Sequence, residues 1–327
     1  MQHLIDLIKS SQKIILSTHR QCDGDGLGAQ MALAFALRKM GKSVEIINVD
    51  RTPRKYRFLE PDVHIIYFEE NPKHPIQADL TLIFDTNDER LLGDLFPVLH
   101  QNSKHLAFID HHPILKHGPH PTNASWIDMS CASTGEMVYK LISELKIELD
   151  REIARCLYTS ITFDTQLYRF IRSSPVSHEI AAKLLLYNID PEEVHRHLFG
   201  NMTAQKVAFL AHALGSLEYF ANNKIAVLLV KDSDMKKFRI DFDESRDVID
   251  MIMNIESVEA AVMFRQDADD IHKVSLRSKG KIEVVSIAEA IGGGGHKYAS
   301  GAFYQGSYNI LKTKIVDDLI LKLSQVS

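Results

Sequence analysis

The chain has 327 residues, more than one typical core accommodates and suited to two domains. Apolar residues make up 45 % and charged residues 25 %, ordinary globular usage that argues against a disordered chain. A net charge of −5 provides no whole-protein basic field for long duplex nucleic acid, so a nucleic-acid substrate would have to be short or meet a local basic site.

Residues 14–17 form a short apolar run fit for a buried strand, and lead into "STHRQCDGDGLGAQ" (17–30). Residues 27–40 carry apolar positions at helical spacing and stop at Gly41, a C-cap signal. Residues 44–49, 80–84 and 106–109 read as further strands, the second followed by "DTNDERLLG" and the third by "DHHP". Strands alternating with helices predict an α/β fold with a mainly parallel sheet flanked by helices. Residues 133–188 read as helical, with Ser133 or Thr134 as a cap and Glu136 as a first-turn acid. Asp190-Pro191 breaks that pattern. Beyond it, "LEYFANNKIAVLLV" reads as strand, Asn-Asn turn and strand. Residues 258–265 and 271–277 read as paired strands, 282–291 as a helix, and 308–323 as a closing helix after "GGGGHKYASGAF". The expected organisation is a larger domain over 1–188, a linker over 189–201 and a smaller α/β domain over 202–327.

Cys22, Cys131 and Cys156 have no CxxC spacing, so neither a zinc ribbon nor a disulfide framework is indicated. The N-terminus lacks a secretory pattern, and no run approaches the ~20 apolar residues of a membrane helix. The expectation is a soluble, reduced, cytoplasmic protein without a membrane partner.

His19, Asp23, Asp25, Asp85 and His111 all fall just past expected strand ends. In open α/β sheets ligands bind at the carboxyl ends of strands, so the fold would converge these side chains. Taken singly, each is commonly a turn, cap or surface residue. Taken together, so many carboxylates in one crevice would repel one another unless a cation neutralised them. Carboxylate and imidazole without thiolate suit manganese or a similar divalent ion better than structural zinc. A phosphate-binding glycine turn is the rival reading of "CDGDGLG". It fits the glycines but not the acids, and no Lys-Ser/Thr pair follows. The glycines are expected to bend the backbone so that both aspartates aim into one site.

Five ordered stretches, "STHRQCDGDGLGAQ", "LIFDTNDER", "FIDHHP", "SITFDT" and "GGGGHKYASGAF", resemble the motifs of the DHH phosphoesterases and of their companion DHHA1 domain. The resemblance spans about 17 to 304, and the length suits the nanoRNase-like branch. It implies a two-manganese site, with magnesium or cobalt as substitutes, in a cleft between the two domains. His19 and Asp23 would hold one ion, Asp25 and His111 the other with Asp164 beside it, and Asp85 would bridge. His112 would face the scissile phosphate, either protonating the leaving oxygen or stabilising phosphoryl charge, and Asp110 would orient His111. Two ions ~3.5–4 Å apart can activate a water and stabilise both oxygens of an in-line displacement.

On the substrate side the resemblance brings Gly293, Gly294, Gly295 and His296 to a phosphate as a backbone cradle. It matches Arg277-Ser278 to a pair that contacts the nucleotide; Arg265 is a lesser candidate. Four glycines alone would otherwise read as a flexible linker. A small domain gripping one phosphate while the large one cuts the next would act as a ruler for very short chains. Departures from the family are Cys22 for proline, Ala29-Gln30 for Gly-Ser, Gln166 for glycine after Asp-Thr, and "YRFIRSSP" for a phenylalanine-rich Asn-Thr ending. None removes an expected ligand, but Gln166, Tyr168, Arg169 and Arg172 could reshape the substrate pocket.

The resulting expectation is a manganese-dependent phosphodiesterase that cuts oligoribonucleotides of two to about five residues to nucleoside monophosphates. The rivals are a phosphodiesterase of cyclic or linear signalling dinucleotides, an adenosine 3′,5′-bisphosphate phosphatase, and a non-catalytic nucleotide-binding module. A homodimer is the candidate assembly.

Overall fold

The computed structural model describes residues 1–60, 63–114, 124–200, 202–241 and 244–326. By internal contacts the chain divides into two compact units, Met1–Asn201 and Met202–Ser327.

The first unit runs α1 (Gln2–Ser10), β1 (Lys13–Thr18), α2 (Gly24–Lys39), β2 (Ser43–Asn48), β3 (Ile65–Tyr67), β4 (Ala78–Phe84), α3 (Leu95–Gln101), β5 (Ser103–Asp110), β6 (Trp126–Ile127), α4 (Thr134–Glu144), α5 (Arg151–Asp164), α6 (Val176–Leu184) and α7 (Pro191–Phe199). Its six strands lie in the order β3-β2-β1-β4-β5-β6, every pair parallel. Both faces are covered. Ile14 and Leu16 of β1 enter one apolar core with α1, α2, α4 and α5, whereas Ile15 enters a second core with Leu95 and Leu99 of α3. The same alternation holds in β4, where Leu82 and Phe84 face the first core and Ile83 the second.

The short strands β3 and β6 were not expected; two or three residues give no readable periodicity. Helix α2 begins at Gly24, three residues before the expected start. Asp23 is its N-cap and accepts from the N–H groups of Asp25 and Gly26, which offsets the poor helix propensity of the glycines. The three glycines therefore do not bend the chain: Gly24, Gly26 and Gly28 are helical. They are small because neighbours press on them. A Cβ on Gly28 would lie 2.6 Å from the Cys156 carbonyl oxygen in α5, and one on Gly26 would lie 3.3 Å from Cβ of Asp85. The stretch expected as a linker carries α7, whose Val194 and Leu198 are buried in the first unit's core.

The second unit runs α8 (Ala204–Leu214), β7 (Glu218–Phe220), β8 (Ile225–Val230), α9 (Asp232–Phe238), α10 (Asp247–Ile252), β9 (Ala260–Ala268), β10 (Ile271–Ser278), α11 (Val285–Glu289), β11 (Gly294–His296), β12 (Ala299–Gln305) and α12 (Tyr308–Ser324). Its sheet order is β11-β12-β10-β9-β8-β7, with β8 and β9 parallel and the other pairs antiparallel. The Asn-Asn turn joins β7 to β8, with Ala221, Asn222 and Asn223 all at positive φ. Alternate β9 residues serve two cores, Val262 and Phe264 with α11 and α12, Ala261 and Met263 with α8 to α10. The expected helix over 282–291 is shorter than its apolar pattern. The N–H of Ile282 donates to Ser278 Oγ and that of Val284 to the Lys297 carbonyl, which holds these residues outside the helix.

Gly28→Ala should destabilise the fold by about 2 kcal/mol, because the added methyl meets backbone that cannot swing aside. Urea unfolding of the variant against the parent protein checks this.

Candidate metal centre

Every sequence-identified ligand in the first unit lies at or just past the carboxyl end of a strand, or at the end of α5. His19 follows β1, Asp23 and Asp25 open α2, Asp85 follows β4, Asp110 ends β5 with His111 next, and Asp164 ends α5. Their ligand atoms form three groups, the first and third sharing Asp85: His19 with Asp23 and Asp85, Asp25 with His111 and Asp164, and Asp85 with Asp110 and His112. Within each group these atoms lie within 4.8 Å of one another.

Asp85 occupies the centre. Its backbone is left-handed at φ 59°, a conformation that costs a non-glycine residue energy and recurs at functional sites. One carboxylate oxygen lies 3.5 Å from His19 Nε2 and the other 3.6 Å from His111 Nε2. Thr134 Oγ1 also donates to Asp85, at 3.1 Å.

Asp25 is held at the N-terminus of α4. It accepts from the N–H groups of Thr134 at 2.8 Å and Gly135 at 3.1 Å, and from the hydroxyl of Ser160. The helix is itself fixed: Ser133 Oγ accepts from the N–H of Glu136, and the Glu136 carboxylate accepts from the N–H of Ala132 and the hydroxyl of Ser177. Glu136 thus acts as a buried strut as well as a first-turn acid.

The imidazoles are oriented by backbone. His19 Nδ1 donates to the Arg20 carbonyl at 2.9 Å, and His111 Nδ1 faces the Cys131 carbonyl at 3.3 Å. A carbonyl can only accept, so in both rings Nδ1 carries the hydrogen and Nε2 is aimed inward. His111 Nε2 lies 3.5 Å from Asp25, 3.6 Å from Asp85 and 3.4 Å from Asp164. Asp110 does not take the expected place behind His111. Its Oδ1 accepts from His112 Nδ1 at 2.8 Å and from the His112 N–H at 3.1 Å, because the turn after β5 folds the second histidine back over the carboxylate.

With neutral rings, a lone pair on each Nε2 would face carboxylate oxygens, acceptor against acceptor. Two remedies exist: a proton on the ring, or a cation between the groups. The surroundings favour the proton on the ring. Burial works to lower the His19 imidazole, but the hydrogen bond to Asp85 and the charges of Asp23 and Asp85 lift it to about 9. His111 is likewise raised against its burial, by Asp164, Asp85 and Asp25. Burial, then the charges of Asp85 and Asp164, hold the Asp25 carboxyl well above its usual range, and Asp164 is pushed up to about 6 chiefly by burial. A divalent ion relieves all of these conflicts at once, and the oxygen and imidazole donor set fits one.

Asn87 and Ser160 are participants that the sequence did not single out. Asn87 Nδ2 donates to Asp110 Oδ2 at 2.6 Å. Ser160 lies one helical turn before Asp164 on the same face of α5, an i, i+4 relation that could have marked it. After α5, Gln166, Leu167 and Tyr168 are left-handed in succession, at φ 47°, 61° and 65°. Tyr168 is pinned there by a hydroxyl contact to Thr162 at 3.1 Å and by stacking on His178.

In the second unit the glycine-rich stretch is neither a linker nor an open loop. Gly292, at φ 82°, follows the end of α11, and Gly294–His296 pair with Ala299–Gly301 as β11. A Cβ on Gly295 would lie 2.8 Å from Cα of Ser300, so the glycines permit close strand pairing. Arg277 on β10 donates to the Leu276 carbonyl at 3.1 Å, and Ser278 Oγ accepts from the N–H groups of Gly280 and Ile282. Arg265 is buried and makes a two-pronged pair with Asp267, at 2.6 and 2.9 Å.

A parallel sheet that gathers aspartates and histidines at its strand ends defines a protein with a site fit for divalent cations. The DHH family N-terminal domain matches residues 13–161 and the DHHA1 domain matches 222–319. Between them they take in well over half of the chain, which belongs to the DHH/DHHA1 phosphoesterase family. It is 29 % identical to the bifunctional oligoribonuclease and PAP phosphatase NrnA of Thermus thermophilus, over 94 % of this chain and 89 % of that one. An exopolyphosphatase-related protein from Bacteroides fragilis shares the fold at a TM-score of 0.86 and 21 % identity, covering 98 % of this chain and 96 % of the other. RecJ of Thermus thermophilus, solved with Mn2+, matches at a TM-score of 0.54 and 16 % identity, over 96 % of this chain and 54 % of RecJ. Among the described residues no helix is long and apolar enough to cross a membrane.

For metal-free protein the raised groups set the sign of the pH dependence. Asp164 in the fold binds its proton more tightly than an unfolded aspartate, so its contribution is full below about 4 and lost as pH rises through about 6. The contribution of His19 is full below about 6.5 and lost as pH rises through about 9. Thermal melts in chelator should show Tm falling across these windows, and His19→Asn should flatten the upper one.

Proposed function

We propose that the protein hydrolyses oligoribonucleotides of two to about five residues to nucleoside monophosphates, using a pair of manganese ions. The observation that carries the reading is Asp85, whose two oxygens face two imidazoles at 3.5 and 3.6 Å with further carboxylates around each. His19, Asp23 and Asp85 would hold one ion, and Asp25, His111, Asp164 and Asp85 the other; magnesium or cobalt could substitute. Bound there, the ions supply Lewis-acid stabilisation of the phosphoryl oxygens and acidify the attacking water. Manganese is favoured by the mixed imidazole and carboxylate donors.

The chain's own groups do the rest. The N-terminus of α4 and Ser160 fix Asp25, so that ligand does not reorganise during turnover. His112 protonates the leaving oxygen. The Asp110 carboxylate behind Nδ1 favours the charged ring, and burial is outweighed so that His112 lies above its usual range. In the second unit Arg277, Ser278, His296 and the backbone of Gly293, Gly294 and Gly295 contact the nucleotide, with Arg265 as a structural support through Asp267. The first unit, 1–201, is then the catalytic one and the second, 202–327, binds substrate, in a cytoplasmic enzyme.

A second reading is removal of phosphate from adenosine 3′,5′-bisphosphate, favoured by the bifunctional name of the Thermus relative. Purified protein with manganese and a labelled diribonucleotide should yield mononucleotides, and no turnover of any oligomer from two to about five residues would reject the substrate assignment. Asp85→Ala should lower kcat by at least about 1,000-fold while leaving the fold intact. In chelator it should lower Tm, because against its burial His111 and His19 hold the Asp85 carboxyl well below its usual range, and its loss leaves those rings without that partner.

A further inference from the structure

We infer that Asn87 is a positioning residue for the hydrolysis, its side-chain amide fixing Asp110 and through it the tautomer and aim of His112. The inference rests on the role proposed above for His112.

Asn87 is 5 % exposed and Asp110 is fully buried. Asn87 Nδ2 donates to Asp110 Oδ2 at 2.6 Å and lies 3.2 Å from the His112 carbonyl and 3.4 Å from that of Pro113. The other Asp110 oxygen accepts from His112 twice, from the backbone N–H and from Nδ1. The two oxygens of one carboxylate are thus divided between Asn87 and His112. The terminal torsion of an aspartate is broad and would otherwise let the carboxylate turn. With Oδ2 held, Oδ1 is left facing Nδ1, which accordingly carries the hydrogen, and Nε2 becomes the nitrogen presented for chemistry. The same amide clasps the main chain at 112 and 113, so ring and backbone are anchored together.

The fold brings Asn87 there for a reason. Strands β4 and β5 are parallel neighbours with Phe84 opposite Ile109, which sets Asp85 beside Asp110. The left-handed turn at Asp85 then breaks β4, and Thr86 Oγ1 accepts from the N–H of Asp88 to close the turn. One turn hands Asp85 to two histidines and Asn87 to the end of the next strand.

A residue that merely holds the fold would affect every substrate alike. A residue that positions an acid affects the substrate whose leaving group needs a proton. The test compares, in manganese, a diribonucleotide, which releases a ribose hydroxyl, with the p-nitrophenyl ester of a nucleoside monophosphate, which releases a phenolate without help. For Asn87→Ala and the isosteric Asn87→Asp, kcat on the diribonucleotide should fall at least ~30-fold with KM within ~3-fold. Turnover of the ester should stay within ~3-fold, with metal content unchanged. Asn87→Ser keeps a donor and should recover part of the loss; it also carries the test if the other two variants do not fold. Equal loss on both substrates in folded, metal-loaded protein, or no loss on the diribonucleotide, overturns the inference. If the wild type cleaves no diribonucleotide, the proposed substrate is overturned instead. The Asn87 comparison is then made with adenosine 3′,5′-bisphosphate against p-nitrophenyl phosphate, under the same two criteria.

Discussion

The first unit is organised around a repulsion. Asp25 and Asp85 are almost completely buried, Asp164 and Asp23 stand beside them, and imidazole nitrogens face inward among them. Such a group of charges is unfavourable in a low-dielectric setting unless protons or metal cations are shared among them. The surrounding structure holds the ligands rigidly in spite of this. Backbone carbonyls fix the rings of His19 and His111, a helix N-terminus fixes Asp25, and a left-handed turn fixes Asp85.

That rigidity comes from regular elements rather than from long loops. An all-parallel sheet delivers the carboxyl ends of β1, β4 and β5 to one edge, and α2 approaches close enough to close the site because three of its first five residues are glycine. Helix α4 is anchored by Ser133, Glu136 and Ser177, which share no ligand role but place the donor groups of Thr134 and Gly135. Ligands set on packed elements keep their geometry through a reaction better than ligands on mobile segments. The cost appears as strain, in Asp85 and in the left-handed run from Gln166 to Tyr168 just beyond Asp164.

The second unit solves a different problem. Its glycine-rich stretch pairs as a strand, so its backbone groups are partly consumed by β12, and His296 is carried on a hairpin rather than on a free loop. Arg265, which by residue type could meet a phosphate, is buried and committed to Asp267. Arg277, by contrast, is only partly buried, on a strand whose neighbours Ala299 and Gly301 are small. Residue type alone could not separate these two arginines; burial and the distance to the carboxylate do, 2.6 Å from Arg265 to Asp267 against 4.0 Å from Arg277 to Asp250.

How much was legible in the chain follows from the range of each signal. Strand identity, the α/β class and the ligand types are local or periodic, and "STHRQCDGDG", "FDTND" and "IDHHP" carry them openly. Asp164 was identified only through resemblance, since an aspartate at a helix end has no local mark. The pairing of Asp110 with His112, the involvement of Asn87 and Ser160, and the close packing that requires Gly24, Gly26 and Gly28 are not local at all. They depend on register between neighbouring strands and on the separation of two helices, quantities that exist only once the chain is folded. The sequence by itself determined which chemical groups this protein can bring to a phosphate. Tertiary structure decided which oxygen faces which nitrogen, because hydrogen-bond direction is a property of three-dimensional contact and not of order along the chain.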